Sequence, residues 1–78
     1  MNITIYTKTN CPWCIEVLNF LQENRAPFTE KNMVENPEFF NECLEKTGQI
    51  KAPTLEIDGK FYPDSDVEEL KKILNLKN

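Results

Sequence analysis

Seventy-eight residues, 40% apolar and 28% charged, allow one ordinary folded domain. The formal net charge of −4 excludes the basic stripe of a nucleic-acid binder and offers nothing to an anionic membrane. Histidine is absent, which excludes a His general base, a Cys–His dyad and any His metal ligand.

The opening Met1-Asn2-Ile3-Thr4-Ile5 carries no basic segment, long apolar run or small-residue cleavage site, so no secretory leader is expected. No apolar run approaches the ~20 residues of a membrane span. A cytoplasmic setting is expected. Three cysteines there suit redox chemistry better than a structural disulfide framework. A four-ligand zinc site would need Cys11, Cys14, Cys43 and a carboxylate, an unusual set, and no metal is expected.

Ile3 and Ile5 alternate with Thr4 and Tyr6, which predicts a first strand over residues 2–7. A helix is predicted over 12–24, with Pro12 in its first turn. Glu16, Asn19 and Glu23 form its polar stripe, and Cys14, Val17, Leu18 and Leu21 its apolar side. Ala26-Pro27 punctuates its end. Residues 28–33 read as a second strand, with Phe28 and Met33 reaching the core. Asn36-Pro37-Glu38 reads as a helix start, with Asn36 as N-cap, and Gly48 ends that helix after Thr47. Residues 54–57 and 60–62 are predicted strands around the type I′ turn signal Asp58-Gly59. Ser65 and Glu68 read as a capping box for a last helix with the apolar line Val67, Leu70, Ile73 and Leu74. Glu68 and Lys72 are placed to pair across one turn.

Cys11 and Cys14, separated by Pro12-Trp13, stand where the first strand gives way to the first helix. Two thiols at that spacing can close and reopen a disulfide. The helix start favours a thiolate at Cys11, which makes it the nucleophile, and Cys14, one turn on, the resolving thiol. Pro12 stiffens the loop. Trp13 is expected to be partly exposed over the thiolate, with a core position the alternative. Cys43, at helical spacing from Phe40 and Leu44, reads as a small buried hydrophobe, with a regulatory thiol the alternative.

These pieces together resemble a glutaredoxin over almost the whole chain. Cys11-Pro12-Trp13-Cys14 resembles the family's Cys-Pro-Tyr-Cys, and Lys8 lies three residues before it. Lys51-Ala52-Pro53, preceded by Thr47-Gly48-Gln49, resembles the family's Thr-Val-Pro segment. Ile57-Asp58-Gly59-Lys60 resembles its hairpin. The resemblance implies a thioredoxin-like α/β fold, β-α-β-α-β-β-α, with a four-stranded mixed sheet flanked by three helices. It implies a glutathione-dependent thiol–disulfide oxidoreductase, with glutathione as co-substrate and no tightly bound cofactor. It also implies a cis Ala52–Pro53 bond facing the thiols, whose backbone pairs with an extended substrate. Lys8 and Gln49 would hold the glycine end of glutathione and Ser65 and Asp66 its γ-glutamyl end, with Trp13, Lys51 and Ala52 also among the residues that would bind it. For Lys8 a solvated loop lysine is the alternative, and for Ser65 and Asp66 simple helix capping.

The chain departs from the family in one segment. Glutaredoxins carry Gly-Gly before the last helix, and here Pro63-Asp64 precedes the retained Ser65-Asp66 pair. Pro63 lacks an N–H, and the Asp64 carboxylate is expected to weaken glutathione binding. Tyr62-Pro63-Asp64 resembles the Arg-Pro-Asp segment of the small redoxins that serve ribonucleotide reductase and are recharged by thioredoxin reductase. That donor role is one alternative. An iron–sulfur carrier, bridging two chains through Cys11 and two glutathiones, is another, disfavoured by Pro12 and the second thiol. The expected partners are glutathione and disulfide-bearing proteins, ribonucleotide reductase among them, for a monomer.

Overall fold

The alternation read from residues 2–7 places a strand, β1 (Ile3–Thr7), inside a mixed sheet. The computed structural model describes residues 2–63 and 65–74. After β1 come α1 (Pro12–Glu23), β2 (Thr29–Asn32), α2 (Pro37–Thr47), β3 (Thr54–Ile57), β4 (Lys60–Tyr62) and α3 (Val67–Leu74). The strand order is β2-β1-β3-β4. β1 runs parallel to β2, with Ile5 opposite Glu30, as a β-α-β crossover requires. β3 is antiparallel to both β1 and β4. The fold is the thioredoxin-like one that the sequence implied.

Alternate strand residues point to opposite faces, and two apolar layers result. Ile3 and Ile5 of β1 and Leu55 and Ile57 of β3 pack with Val17, Phe20 and Leu21 of α1 and Leu70 of α3. On the other face Tyr6 packs with Met33 and with Cys43 of α2, edged by Phe39, Phe40 and Phe61. Phe28 and Met33 do reach the core, in different layers. Cys43 is fully buried, while its neighbour Leu44 is exposed.

The second layer is tied together by charge. The Tyr6 hydroxyl donates to Glu42 Oε2 at 2.5 Å, and Lys31 Nζ pairs with the same oxygen at 2.7 Å. The Lys31 and Tyr6 contacts hold the Glu42 carboxyl below its ordinary range. Burial, and then the Glu42 contact, keep the Tyr6 phenol protonated well above its usual value.

Two helix starts and one side-chain pair differ from their sequence reading. Ser65 and Glu68 do not form the expected capping box. The Asp66 carboxylate accepts from the Glu69 N–H at 2.9 Å, and its carbonyl accepts from the Leu70 N–H at 3.0 Å, so Asp66 is the N-cap. Ser65-x-x-Glu68 and Asp66-x-x-Glu69 are both capping patterns one residue apart, and the Ser65 hydroxyl is turned away to the Tyr62 carbonyl at 2.8 Å. Glu68 pairs with Lys71 at 3.7 Å rather than with Lys72. Asn36 has N-cap backbone angles but no side-chain cap bond. Asn32 instead closes the turn that leads into the helix, accepting from the Val34 and Glu35 N–H groups at 2.9 Å each. Gly48, at φ 76°, and the Asp58-Gly59 turn, at φ 51° and 87°, are as expected.

α1 is closed before Ala26-Pro27. Arg25 takes a left-handed φ of 54°, and the Ala26 N–H donates back to the Leu21 carbonyl at 2.9 Å. Glycine is the usual residue at such a helix stop, because a Cβ is strained there. Arg25→Gly is expected to raise stability by up to about 1 kcal/mol. A urea-unfolding midpoint equal to or below wild type would refute this.

Candidate active site

β1 ends at a buried threonine, and the chain turns through Lys8, Thr9 and Asn10 into α1. Asn10 makes the turn at φ 60°, a conformation that asparagine tolerates better than most residues. Cys11 then occupies the N-cap of α1, with Pro12 as the first helical residue. The Cys14 N–H donates to Cys11 Sγ at 3.2 Å. This is the arrangement by which a helix start receives an anion.

The two thiols differ in access. Cys11 is partly exposed, whereas Cys14 is 1% exposed behind it. Burial, and then the hydrogen bond with Cys11, push the Cys14 thiol up to about 12. Both thiols, and that of Cys43, are free. Trp13 is 61% exposed beside them, as expected of a residue between the cysteines.

The Ala52–Pro53 bond is cis. A cleft of about 340 Å³ is lined by Trp13, Ala52, Pro53, Ser65 and Asp66. Residues from three separate stretches of the sequence, expected in one site, are thus together. Lys8, Gln49 and Lys51 are not among the described residues lining it. Asp64, expected to affect glutathione, lies outside the described residues.

Several groups at the start of α3 are engaged by bonds within the fold. The Ser65 N–H donates to the Pro53 carbonyl at 3.1 Å, its hydroxyl serves Tyr62, and the Asp66 carboxylate serves Glu69. Sequence reading missed two further features. The buried Thr7 hydroxyl donates to Glu30 Oε2 at 2.8 Å, tying the end of β1 to β2 below the redox loop. The Asn32 amide reaches Thr9 Oγ1 at 3.4 Å, bringing the loop after β2 beside that loop. Both are long-range contacts of ordinary polar residues, and only the parallel register, with Thr7 opposite Asn32, would have suggested them.

Paired thiols at the head of a helix whose Trp13 shares a cleft with a cis-proline loop, on a four-stranded mixed sheet, define a thioredoxin-like redox protein. The family model described as Glutaredoxin matches residues 3–62. The chain is 34% identical over 71 residues to the Glutaredoxin-like protein NrdH of Lactococcus lactis subsp. cremoris (strain MG1363), covering 91% of this chain and 97% of that protein. The solved thioredoxin-like protein BC3987 superposes with a TM-score of 0.83 at 28% identity, over 91% of this chain and 97% of that one. A glutaredoxin from Archaeoglobus fulgidus shares the fold, with a TM-score of 0.77 at 19% identity over 92% and 84% of the two chains. The chain belongs to the glutaredoxin family and is a thiol oxidoreductase. No helix among the described residues is long and apolar enough to cross a membrane.

Proposed function

We propose that this chain is a dithiol electron donor to protein disulfides, of the kind that serves ribonucleotide reductase and is recharged by a thioredoxin reductase. The observation that supports it is the engagement of the α3 start. The Ser65 N–H and one oxygen of the Asp66 carboxylate, groups that glutathione would need, are bonded to Pro53 and Glu69. The Tyr62-Pro63 segment before them and the identity with glutaredoxin-like NrdH proteins agree with this reading.

In the cycle, the Cys11 thiolate attacks one sulfur of the substrate disulfide and expels the other as a thiol, forming a mixed disulfide. Cys14 surrenders its proton and attacks Cys11 Sγ. The second substrate thiol leaves, and a Cys11–Cys14 disulfide remains. Two electrons and two protons pass to the substrate, and the reductase, drawing on NADPH, returns them. Ala52 offers its backbone to an extended substrate beside Pro53. A reducing compartment, the cytoplasm, is the setting such a dithiol needs.

The cleft supports a second reading, in which glutathione occupies it between Trp13 and Asp66, since about 340 Å³ suits a small ligand. The two readings separate in one assay of NADPH consumption with insulin as disulfide substrate. Turnover through thioredoxin reductase is expected to exceed that through glutathione and glutathione reductase by roughly tenfold or more, a difference of about 1.4 kcal/mol in transition-state stabilisation. The reverse ranking would replace the first reading by the second.

A further inference from the structure

We infer that Thr47 is a positioning residue for the substrate-facing backbone of Ala52. This inference rests on the proposal that the Ala52–Pro53 backbone receives the substrate. Between α2 and β3 the chain has no regular structure, yet this stretch supplies Ala52 and Pro53, two of the five residues lining the cleft. Threonine hydroxyls hold it at both ends. Thr47 Oγ1 lies 2.8 Å from the Gln49 carbonyl and 2.8 Å from the Cys43 carbonyl, and accepts from the Gln49 N–H at 3.2 Å. The one hydroxyl proton is divided between the two carbonyls, so a single side chain joins the last turn of α2 to the loop. Cys43 Sγ adds a weaker contact to the same Gln49 carbonyl at 3.6 Å. At the far end Thr54 Oγ1 donates to the Lys51 carbonyl at 2.5 Å.

Gly48 lies between Thr47 and Gln49 in the left-handed region, so the local backbone alone favours no single path out of the helix. The Thr47 bonds choose the path. Ala52 packs against the layer of Tyr6 and Cys43, so the loop's height above that layer sets where its backbone meets a substrate. Gly48 has open space around its Cα, so side-chain crowding does not restrain the loop there.

The test compares Thr47→Val, which keeps the shape and removes the hydroxyl, with Thr47→Ser, which restores it. Dithiothreitol serves as reductant and insulin as the disulfide probe, and amide hydrogen exchange of Gln49 is followed by NMR. Thr47→Val is expected to accelerate Gln49 exchange and raise the insulin KM about fivefold, the order of one lost hydrogen bond. kcat and the rate of Cys11 alkylation stay at wild-type values, and Thr47→Ser restores KM. An unchanged KM, or a fall in kcat alone, overturns the positioning role, whatever happens to stability. If wild type fails to reduce insulin, the proposed function falls instead, and the exchange rate of Gln49 still decides whether Thr47 holds the loop.

Discussion

Cys11→Ser is expected to reduce disulfide turnover by at least roughly 10³-fold, the scale seen when a nucleophile is removed. Cys14→Ser should behave differently. The partly exposed Cys11 is the thiol placed to meet an incoming disulfide, and the buried Cys14 is withdrawn from solvent beside it. With Cys11 retained, the mixed disulfide still forms. It then accumulates on protein substrates, because the resolving attack is gone. Glutathione mixed disulfides, whose turnover needs one thiol, are expected to keep most of their rate. Mass spectrometry of Cys14→Ser mixed with oxidised insulin should show a single covalent adduct. Retention of turnover by Cys11→Ser, or no adduct with Cys14→Ser, would reverse the two roles.

Stability is expected to fall on the alkaline side, with thiols kept reduced. An unfolded chain loses the Cys14 proton near ~8.5 and the Tyr6 proton near about 10. Folded, Cys14 keeps its proton to about 12 and Tyr6 is also shifted upward, burial being the first cause for each. Both pKa values are therefore raised by folding. Their contribution is complete below the unfolded values and is lost as pH rises through the folded ones. Each group lowers stability by about 1.4 kcal/mol per pH unit within its window. Urea midpoints should decline from about pH 8.5 and more steeply above about 10, the two onsets set by the unfolded values. Cys14→Ser should flatten the first part and leave the second. A flat profile to pH 11 in wild type would show that neither group is shielded as described. The same shielding bears on turnover: Cys14 must give up a tightly held proton to resolve the mixed disulfide, so that step should accelerate with pH.

Much of the architecture could be read from local chemistry. Period-two alternation at Ile3 and Ile5, the positive-φ pair Asp58-Gly59 and the helix stop at Gly48 each act within a few residues, and the fold obeys them. The dithiol was legible for the same reason, since two residues of spacing at a helix start suffice to pair thiols. What sequence left open depended on competition between equivalent groups. Ser65 and Asp66 both offered a cap for α3, and the nearness of the Tyr62 carbonyl took the serine away. Arg25 gives no warning of a left-handed stop, because closure there follows from Ala26 bonding back to Leu21.

The sequence by itself determined where the paired thiols stand and which elements carry them, because strand alternation, turn angles and helix starts are properties of near neighbours. The tertiary structure alone decided what each thiol can reach. Burying Cys14 behind Cys11, bringing Trp13 to Ala52, Pro53, Ser65 and Asp66, and joining Thr47 to Gln49 require the helices to be docked on the two faces of the sheet. Desolvation and hydrogen-bond allocation depend on all neighbours at once, and no local pattern encodes them.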